Sequence, residues 1–208
     1  MEKIAKALAD LDAENLRSLV DEAIRQSVPA AEIMEKGLKR GLTMVGERFE
    51  KLEYFLSELL FASSIMEEAV KKLAPHLKGE AVSKKGRIVL GTVRGDIHDI
   101  GKNIFKMFAE GSGFEVIDLG VDVEPQVFAQ AVAEKKPDVV GLSALLTTTV
   151  PEIKTVVEEL ERKGLRDRVK VLLGGNAVTE EFGREVGADG VAADAVQGVN
   201  LCREWASG

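Results

Sequence analysis

With 208 residues, 45% apolar and 30% charged, the chain has the composition of a folded globular protein and room for one large domain or two small ones. The net charge of −7 argues against a nucleic-acid-binding surface, and neither half is basic: residues 1–85 carry 14 basic and 15 acidic groups, residues 86–208 carry 14 and 20. No apolar run approaches the ~20 residues of a membrane helix, no signal-peptide core opens the chain, and the single Cys202 cannot form an internal disulfide, so a reducing cytoplasm is expected.

Residues 1 to about 75 read as helical. Asp12 suits the N-cap of a helix carrying Leu16, Leu19, Val20, Ala23 and Ile24 on one face. Pro29 suits the first turn of a second, with Ile33, Leu38, Leu42, Val45 and Phe49 as buried positions. A third runs from about Phe55 to Pro75, with Leu56, Leu59, Leu60, Ser63, Met66, Val70 and Leu73 at three- and four-residue spacing. Three or four such helices with brief connections make a small antiparallel bundle, and core packing accounts for most of these stripes. Residues 76–85 are polar, contain Gly79 and read as a linker, with His76 solvated at a helix end.

From Gly86 the pattern changes. Strand-like runs at 87–93, 115–119, 138–142, 169–173 and 189–192 alternate with helix-like segments near 100–110, 125–135, 151–163, 178–186 and 195–206. Strict alternation implies an α/β domain with a parallel sheet covered on both faces. Gly111 and Gly113 mark the exit of its first helix, and Pro125 and Pro151 open the next two. The expected strand order is the doubly wound, flavodoxin-like 2-1-3-4-5, with a ligand crevice between strands one and three.

The segment Arg94-Gly95-Asp96-Ile97-His98-Asp99-Ile100-Gly101 lies at the carboxyl end of the first strand and holds one of the chain's two histidines. A carboxylate that holds one imidazole nitrogen is the usual support for a histidine that ligates a metal through the other. Strands three and four end beside it in Ser143-Ala144-Leu145-Leu146-Thr147-Thr148-Thr149 and Gly174-Gly175-Asn176. Small hydroxyls and adjacent glycines describe a pocket that a large ligand can approach closely. A dinucleotide site is disfavoured because G-x-G-x-x-G is absent, and a P-loop because no Gly-Lys-Ser/Thr closes the turn. A bare divalent ion on Asp96, His98 and Asp99 lacks a second histidine or cysteine nearby. Residue types alone leave two readings of His98, structural and functional, and leave the three threonines open to simple helix capping before Pro151.

Asp96-x-His98-x-x-Gly101, Ser143-x-Leu145 and Gly174-Gly175 together resemble the signature of cobalamin-binding proteins, and the intervening 41 and 28 residues fit its spacing. Upstream, Met44-Val45-Gly46-Glu47-Arg48-Phe49, Phe55-Leu56, Ala62-Ser63 and Met66 resemble the helical cap that precedes the cobalamin domain of methionine synthase. The small corrinoid proteins of methanol, methylamine and methoxy-aromatic methyltransferase systems have the same two modules. The resemblance runs from about residue 30 to the end.

It implies a helical cap over residues 1–75, a linker at 76–85 and a cobalamin-binding α/β domain over 86–208. His98 would be the lower axial ligand of cobalt, in the base-off/His-on form, with Asp96 on its other nitrogen. Thr149 falls where methionine synthase has a serine hydrogen-bonded to that aspartate. Ser143 would meet the cofactor's tail base, with Leu145, Gly174 and Gly175 lining the tail channel. Gly95, Ile97, Asp99, Thr147, Ala193 and Asp194 correspond to further cofactor contacts, and Gly101 completes the signature. Phe49 and Leu56 match residues that shield the upper face, and Glu35 a cap residue near it. The implied role is a methyl carrier that is not catalytic on its own. Its partners would be a substrate:corrinoid methyltransferase, a second methyltransferase serving a thiol or tetrahydrofolate acceptor, and a reductive activation protein, with no nucleic acid or membrane. A cobalamin-dependent mutase subunit should share the His98 motif but lack the Phe49/Leu56 cap. A cobalamin-sensing regulator usually carries a DNA-binding module before its cap.

Overall fold

The computed structural model of the protein describes residues 1–76 and 85–207. Apart from His76 and Lys85, the expected linker lies outside the described residues. The chain divides into two units, Met1–Ser83 and Lys84–Gly208.

The first unit contains α1 (Glu2–Ala9), α2 (Ala13–Arg25), α3 (Ala30–Glu32), α4 (Lys39–Glu50) and α5 (Leu56–Leu73). A π-helical turn, Ile33–Leu38, joins α3 to α4 without a break. The Asp12 carboxylate caps α2 by accepting from Asn15 N at 3.1 Å. Pro29 occupies the N-cap of α3, one residue before its first turn. The sequence periodicity did not place α1, whose buried side is mostly alanine with Ile4 and Leu8. It packs by close approach: a Cβ at Gly37 would lie 2.9 Å from Ile4 Cγ2, and one at Gly41 would lie 2.7 Å from the Ala5 carbonyl oxygen. The Arg48 guanidinium and the Tyr54 hydroxyl both donate to the Ala9 carbonyl, at 2.5 and 2.6 Å, and so tie the end of α1 to the loop after α4.

The expected stripes are largely buried: Leu16, Val20 and Ala23 on α2, Leu42 and Val45 on α4, Leu59, Met66 and Leu73 on α5. Leu56 and Leu60 depart from that reading. Both are exposed, at 54% and 43%, because the first turns of α5 carry a second apolar face that the bundle does not bury. His76 ends a short 3-10 turn, Ala74–His76, and is exposed.

The second unit alternates β1 (Gly86–Thr92), α6 (Ile100–Gly111), β2 (Phe114–Asp118), α7 (Pro125–Lys135), β3 (Val139–Ser143), α8 (Val150–Arg162), β4 (Lys170–Gly174), α9 (Glu180–Glu185), β5 (Gly190–Ala192) and α10 (Ala195–Ser207). The strands pair in parallel in the order β2-β1-β3-β4-β5. This is the doubly wound order expected from the alternation, with element limits within two residues of the sequence reading. One face packs Val89, Leu142, Leu173 and Val191 against Phe128, Val132, Ile153 and Val157 of α7 and α8. Phe128 seats over Gly91, where a Cβ would lie 2.7 Å from its ring. The opposite face is covered by α6 and α10, which pack on each other as well as on the sheet.

The register sets up the site. Thr92 pairs with Ser143, Ser143 with Gly174 and Gly174 with Ala192, so the last residues of β1, β3, β4 and β5 form one row across the sheet. Paired residues of a parallel sheet face the same side, here the side of α6 and α10, since Leu201 and Trp205 of α10 lie against Gly190 two residues before Ala192.

Candidate functional site

After β1 the chain needs a sharp turn. Gly95 supplies it at φ +78°, in the left-handed region that favours glycine. Val93 N donates to the Ser143 carbonyl at 3.0 Å, and Gly95 N donates to Asp122 Oδ1 at 2.7 Å. The turn directs Asp96 inward. Its side chain is wholly buried and collects five donors. His98 N (3.0 Å) and His98 Nδ1 (2.7 Å) meet Oδ1, while Leu145 N (2.8 Å), Leu146 N (3.3 Å) and the Thr149 hydroxyl (2.7 Å) meet Oδ2. Burial by itself raises the Asp96 carboxyl. The hydrogen bonds from Thr149, His98 and Leu145 outweigh it and hold the group well below the usual carboxylate range.

An ionised carboxylate only accepts, so His98 Nδ1 carries a hydrogen and the neutral ring keeps its lone pair on Nε2. The imidazole side chain remains 46% exposed. The backbone is held as well: the buried Thr92 hydroxyl donates to the His98 carbonyl at 3.1 Å. The Asp99 carboxylate accepts from Asn103 Nδ2 at 3.0 Å. Among the described residues no cluster of three or more His, Cys, Asp or Glu side chains could hold a bare metal ion.

The capping reading of the threonines gives way to this geometry. Thr149 is the N-cap residue of α8, yet its hydroxyl makes no cap bond. It lies 2.7 Å from Asp96 Oδ2 and 2.9 Å from the Leu146 carbonyl, one hydrogen able to serve either. Thr147 is exposed on the same turn.

The two glycines at the end of β4, Gly174 within it and Gly175 after it, do different work. Gly175 has φ +124°, and a Cβ there would lie 1.9 Å from the Ala144 carbonyl oxygen, so only glycine lets the β4 loop lie on the β3 loop. Gly174 has no such constraint. Its φ is ordinary and a Cβ would meet nothing within 4 Å, as at Gly101 in the first turn of α6. At Gly174 that free space lies on the Thr92–Ser143–Gly174–Ala192 row. Near the end of that row, Ala193 N donates to Gln197 Oε1 at 2.7 Å and Asp194 Oδ1 accepts from Gln197 N at 2.8 Å.

Glu35, Phe49 and Leu56 belong to the first unit: Glu35 lies in the π-helical turn and pairs with Lys39, Phe49 is half-buried and Leu56 exposed. The sequence reading missed several residues that border His98. Ile100 and Leu146 join Ile97 and Leu145 as exposed apolar side chains flanking it, at 59%, 41%, 73% and 40%. Lys102 was missed too, although it stands in helical phase with the buried Phe105 and Ala109, where a charge needs a partner. Among the described residues no helix is long and apolar enough to cross a membrane.

An open α/β sheet whose crevice presents a carboxylate-held imidazole, an apolar collar and a glycine-opened gap defines a protein that binds a large cofactor at the carboxyl ends of its strands. Residues 86–200 match a B12 binding domain, and residues 1–74 match a second B12 binding domain model. The chain is 40% identical to dimethylamine corrinoid protein 3 of Methanosarcina acetivorans over 98% of its own length and 95% of that protein. A crystal structure of a cobalamin-binding protein from Desulfitobacterium hafniense superposes with a TM-score of 0.80 at 42% identity, covering 97% of this chain and 96% of the other. The methanol:cobalamin methyltransferase complex of Methanosarcina barkeri gives 0.85 at 26%, covering 99% and 79%. The chain therefore belongs to the B12-binding family of corrinoid proteins, and its cofactor is cobalamin or a related corrinoid. The residues present fit that cofactor, with an imidazole nitrogen available for cobalt, apolar side chains around it and space beyond Gly174.

Two outcomes follow from this geometry. Gly175→Ala should cost the second unit more than ~1–3 kcal/mol in urea denaturation, since both the left-handed backbone and the Ala144 carbonyl oppose a Cβ. Asp96 has a folded pKa below its unfolded value, so its stabilisation is complete above about pH 4 and is lost as pH falls toward the folded value. Asp96→Asn should thus be clearly less stable than wild type at pH 7, and the two unfolding midpoints should converge as the acid limit is approached. Parallel curves would assign the stabilisation to something other than the charge.

Proposed function

We propose that this protein carries a methyl group on cobalt between two methyltransferases, with the corrinoid bound base-off and His98 as its lower axial ligand. The observation that carries the reading is the Asp96–His98 pair at 2.7 Å, which fixes the ring through Nδ1 and leaves Nε2 for a metal. The corrinoid supplies a metal centre that can accept and release the methyl group; the protein's residues bind, orient and shield it. Asp96 holds the imidazole aimed, with its Nδ1 committed to the carboxylate. Ile97, Ile100, Leu145 and Leu146 offer the corrin ring an apolar seat. Ser143, Gly174, Gly175 and Gly101 line a tail channel, with Gly95, Asp99, Thr147, Thr149, Ala193 and Asp194 in the surrounding loops. Cys202 does not compete for the metal: it is buried, and desolvation pushes its thiol up to about 12.

In this reading residues 1–75 form the cap, where Phe49 and Leu56 shield the methyl group and Glu35 stands near it, and residues 86–208 hold the cofactor. The B12 binding domain match over residues 1–74 supports a cofactor role for both units. The names of the relatives support partners of the same kind: a methyltransferase that loads the methyl group from a small donor, with dimethylamine and methanol systems as the precedents. A second methyltransferase would pass it to a thiol or tetrahydrofolate, a reductive activation protein would return oxidised cobalt to service, and the cytoplasm would be the compartment.

Reconstitution with cobalamin tests the ligand. The cobalt(II) EPR spectrum of the wild type should show splitting by one imidazole nitrogen, and His98→Ala should keep the cofactor but lose that splitting. Nitrogen coupling retained in His98→Ala would sink the assignment. The tail channel has its own test. Gly174→Val should leave the apoprotein's unfolding midpoint nearly unchanged, because a Cβ there meets nothing within 4 Å. It should nonetheless weaken cobalamin binding by more than ~1–3 kcal/mol in equilibrium dialysis, through overlap with the nucleotide tail. Unchanged affinity would put the tail elsewhere.

A further inference from the structure

Asp96 accounts for only half of the loop. It grips the His98 backbone nitrogen and the ring, but none of its bonds reaches Asp99 or the start of α6. A second network holds that side, and it centres on a lysine. Lys102 has a side chain only 3% exposed. Its ammonium lies 2.8 Å from Asp118 Oδ1, 2.8 Å from Asp118 Oδ2 and 2.8 Å from Asn103 Oδ1. Because Lys102 donates, the Asn103 carboxamide must turn its oxygen inward, which commits its Nδ2 to Asp99 Oδ2 at 3.0 Å.

The network then closes on His98 from the other direction. Asp118 Oδ1 accepts from Gly120 N at 2.9 Å, and the Gly120 carbonyl accepts from Thr92 N at 3.0 Å. The Thr92 hydroxyl in turn donates to the His98 carbonyl at 3.1 Å. Lys102 is thus the centre of a circuit that starts at Asp99 and returns to His98 through the end of β2.

We propose that Lys102 is a positioning residue for the axial histidine: acting through Asn103–Asp99 and through Asp118, it fixes the carboxyl half of the His98 loop as Asp96 fixes the amino half. This rests on the reading of His98 as cobalt ligand. A buried lysine–aspartate pair contributes little net stability, since desolvation offsets most of its attraction. What it does supply is direction: three acceptors placed around three N–H donors permit one arrangement of the Asn103 amide and one position of Asp99. An imidazole that must meet cobalt at a bond length needs its backbone held on both sides.

The test uses the full chain reconstituted with cobalamin, read by cobalt(II) EPR. Asn103 is exposed, and Asn103→Ala suits a helix while leaving the Lys102–Asp118 pair in place, so this variant should fold. In it, and in Lys102→Met, the ratio of imidazole-coordinated to uncoordinated cobalt should fall about tenfold or more, the scale of loss on removing an outer partner of a metal ligand. Cobalamin should stay bound through its tail. A purely structural role for Lys102 would lower the unfolding midpoint and leave the spectrum of the loaded protein unchanged. Undiminished coordination in Asn103→Ala, in a wild type that shows imidazole coupling, therefore overturns the proposal alone. Absence of imidazole coupling in the wild type overturns it together with the axial-ligand reading.

Discussion

The site depends on one buried anion. A carboxylate withdrawn from water is costly unless hydrogen bonds replace its hydration, and Asp96 finds five donors from two loops. Satisfying it forces those loops together. The β1 loop must turn at Gly95 to send the side chain inward, and the β3 loop must present the Leu145 and Leu146 amides and the Thr149 hydroxyl to the same oxygen. His98 is aimed as a consequence, because its Nδ1 hydrogen completes the set. Without the charge, the Leu145 and Leu146 amides, the Thr149 hydroxyl and the ring would lose the one side chain they share.

The sheet explains why such an anion can sit there. β1 and β3 are neighbours, but their following helices leave on opposite faces, α6 with α10 and α8 with α7. Their carboxyl ends therefore diverge into a crevice, as open doubly wound sheets require at the switch point. Gly175 then lets the β4 loop close one wall by lying against Ala144, while Gly174 leaves the space beside it clear. Two adjacent glycines have opposite roles, one filled tightly by backbone and one opening onto space.

Apolar surface is left out of both cores in a consistent way. Ile97, Ile100, Leu145 and Leu146 stay exposed on or next to the two loops that Asp96 joins, and Leu56 and Leu60 stand on the exposed side of α5. Ile97, Leu145 and Leu146 stand in the loops after β1 and β3, and Ile100, Leu56 and Leu60 in the first turns of α6 and α5. In the second unit, a cofactor with a broad apolar ring accounts for the exposed side chains of the two loops that Asp96 joins.

The sequence by itself determined the alternation of strands and helices, hence the parallel doubly wound sheet and its crevice, because those follow from local hydrophobic period and from the handedness of crossovers. It also carried the spacing of Asp96, His98, Ser143 and Gly174, since a signature is a property of order along the chain. Tertiary structure decided what order cannot express. Thr149 reads as a helix cap until Asp96 is seen to claim its hydroxyl across 53 positions of chain. Leu56 and Leu60 fit a buried stripe until packing leaves them exposed, since a helical period marks an apolar face and not its partner. The helix α1 is nearly silent in sequence because it packs by the absence of side chains at Gly37 and Gly41. Lys102 becomes intelligible only when β2 brings Asp118 to it, because the worth of a buried charge is set by a partner that chain distance does not reveal.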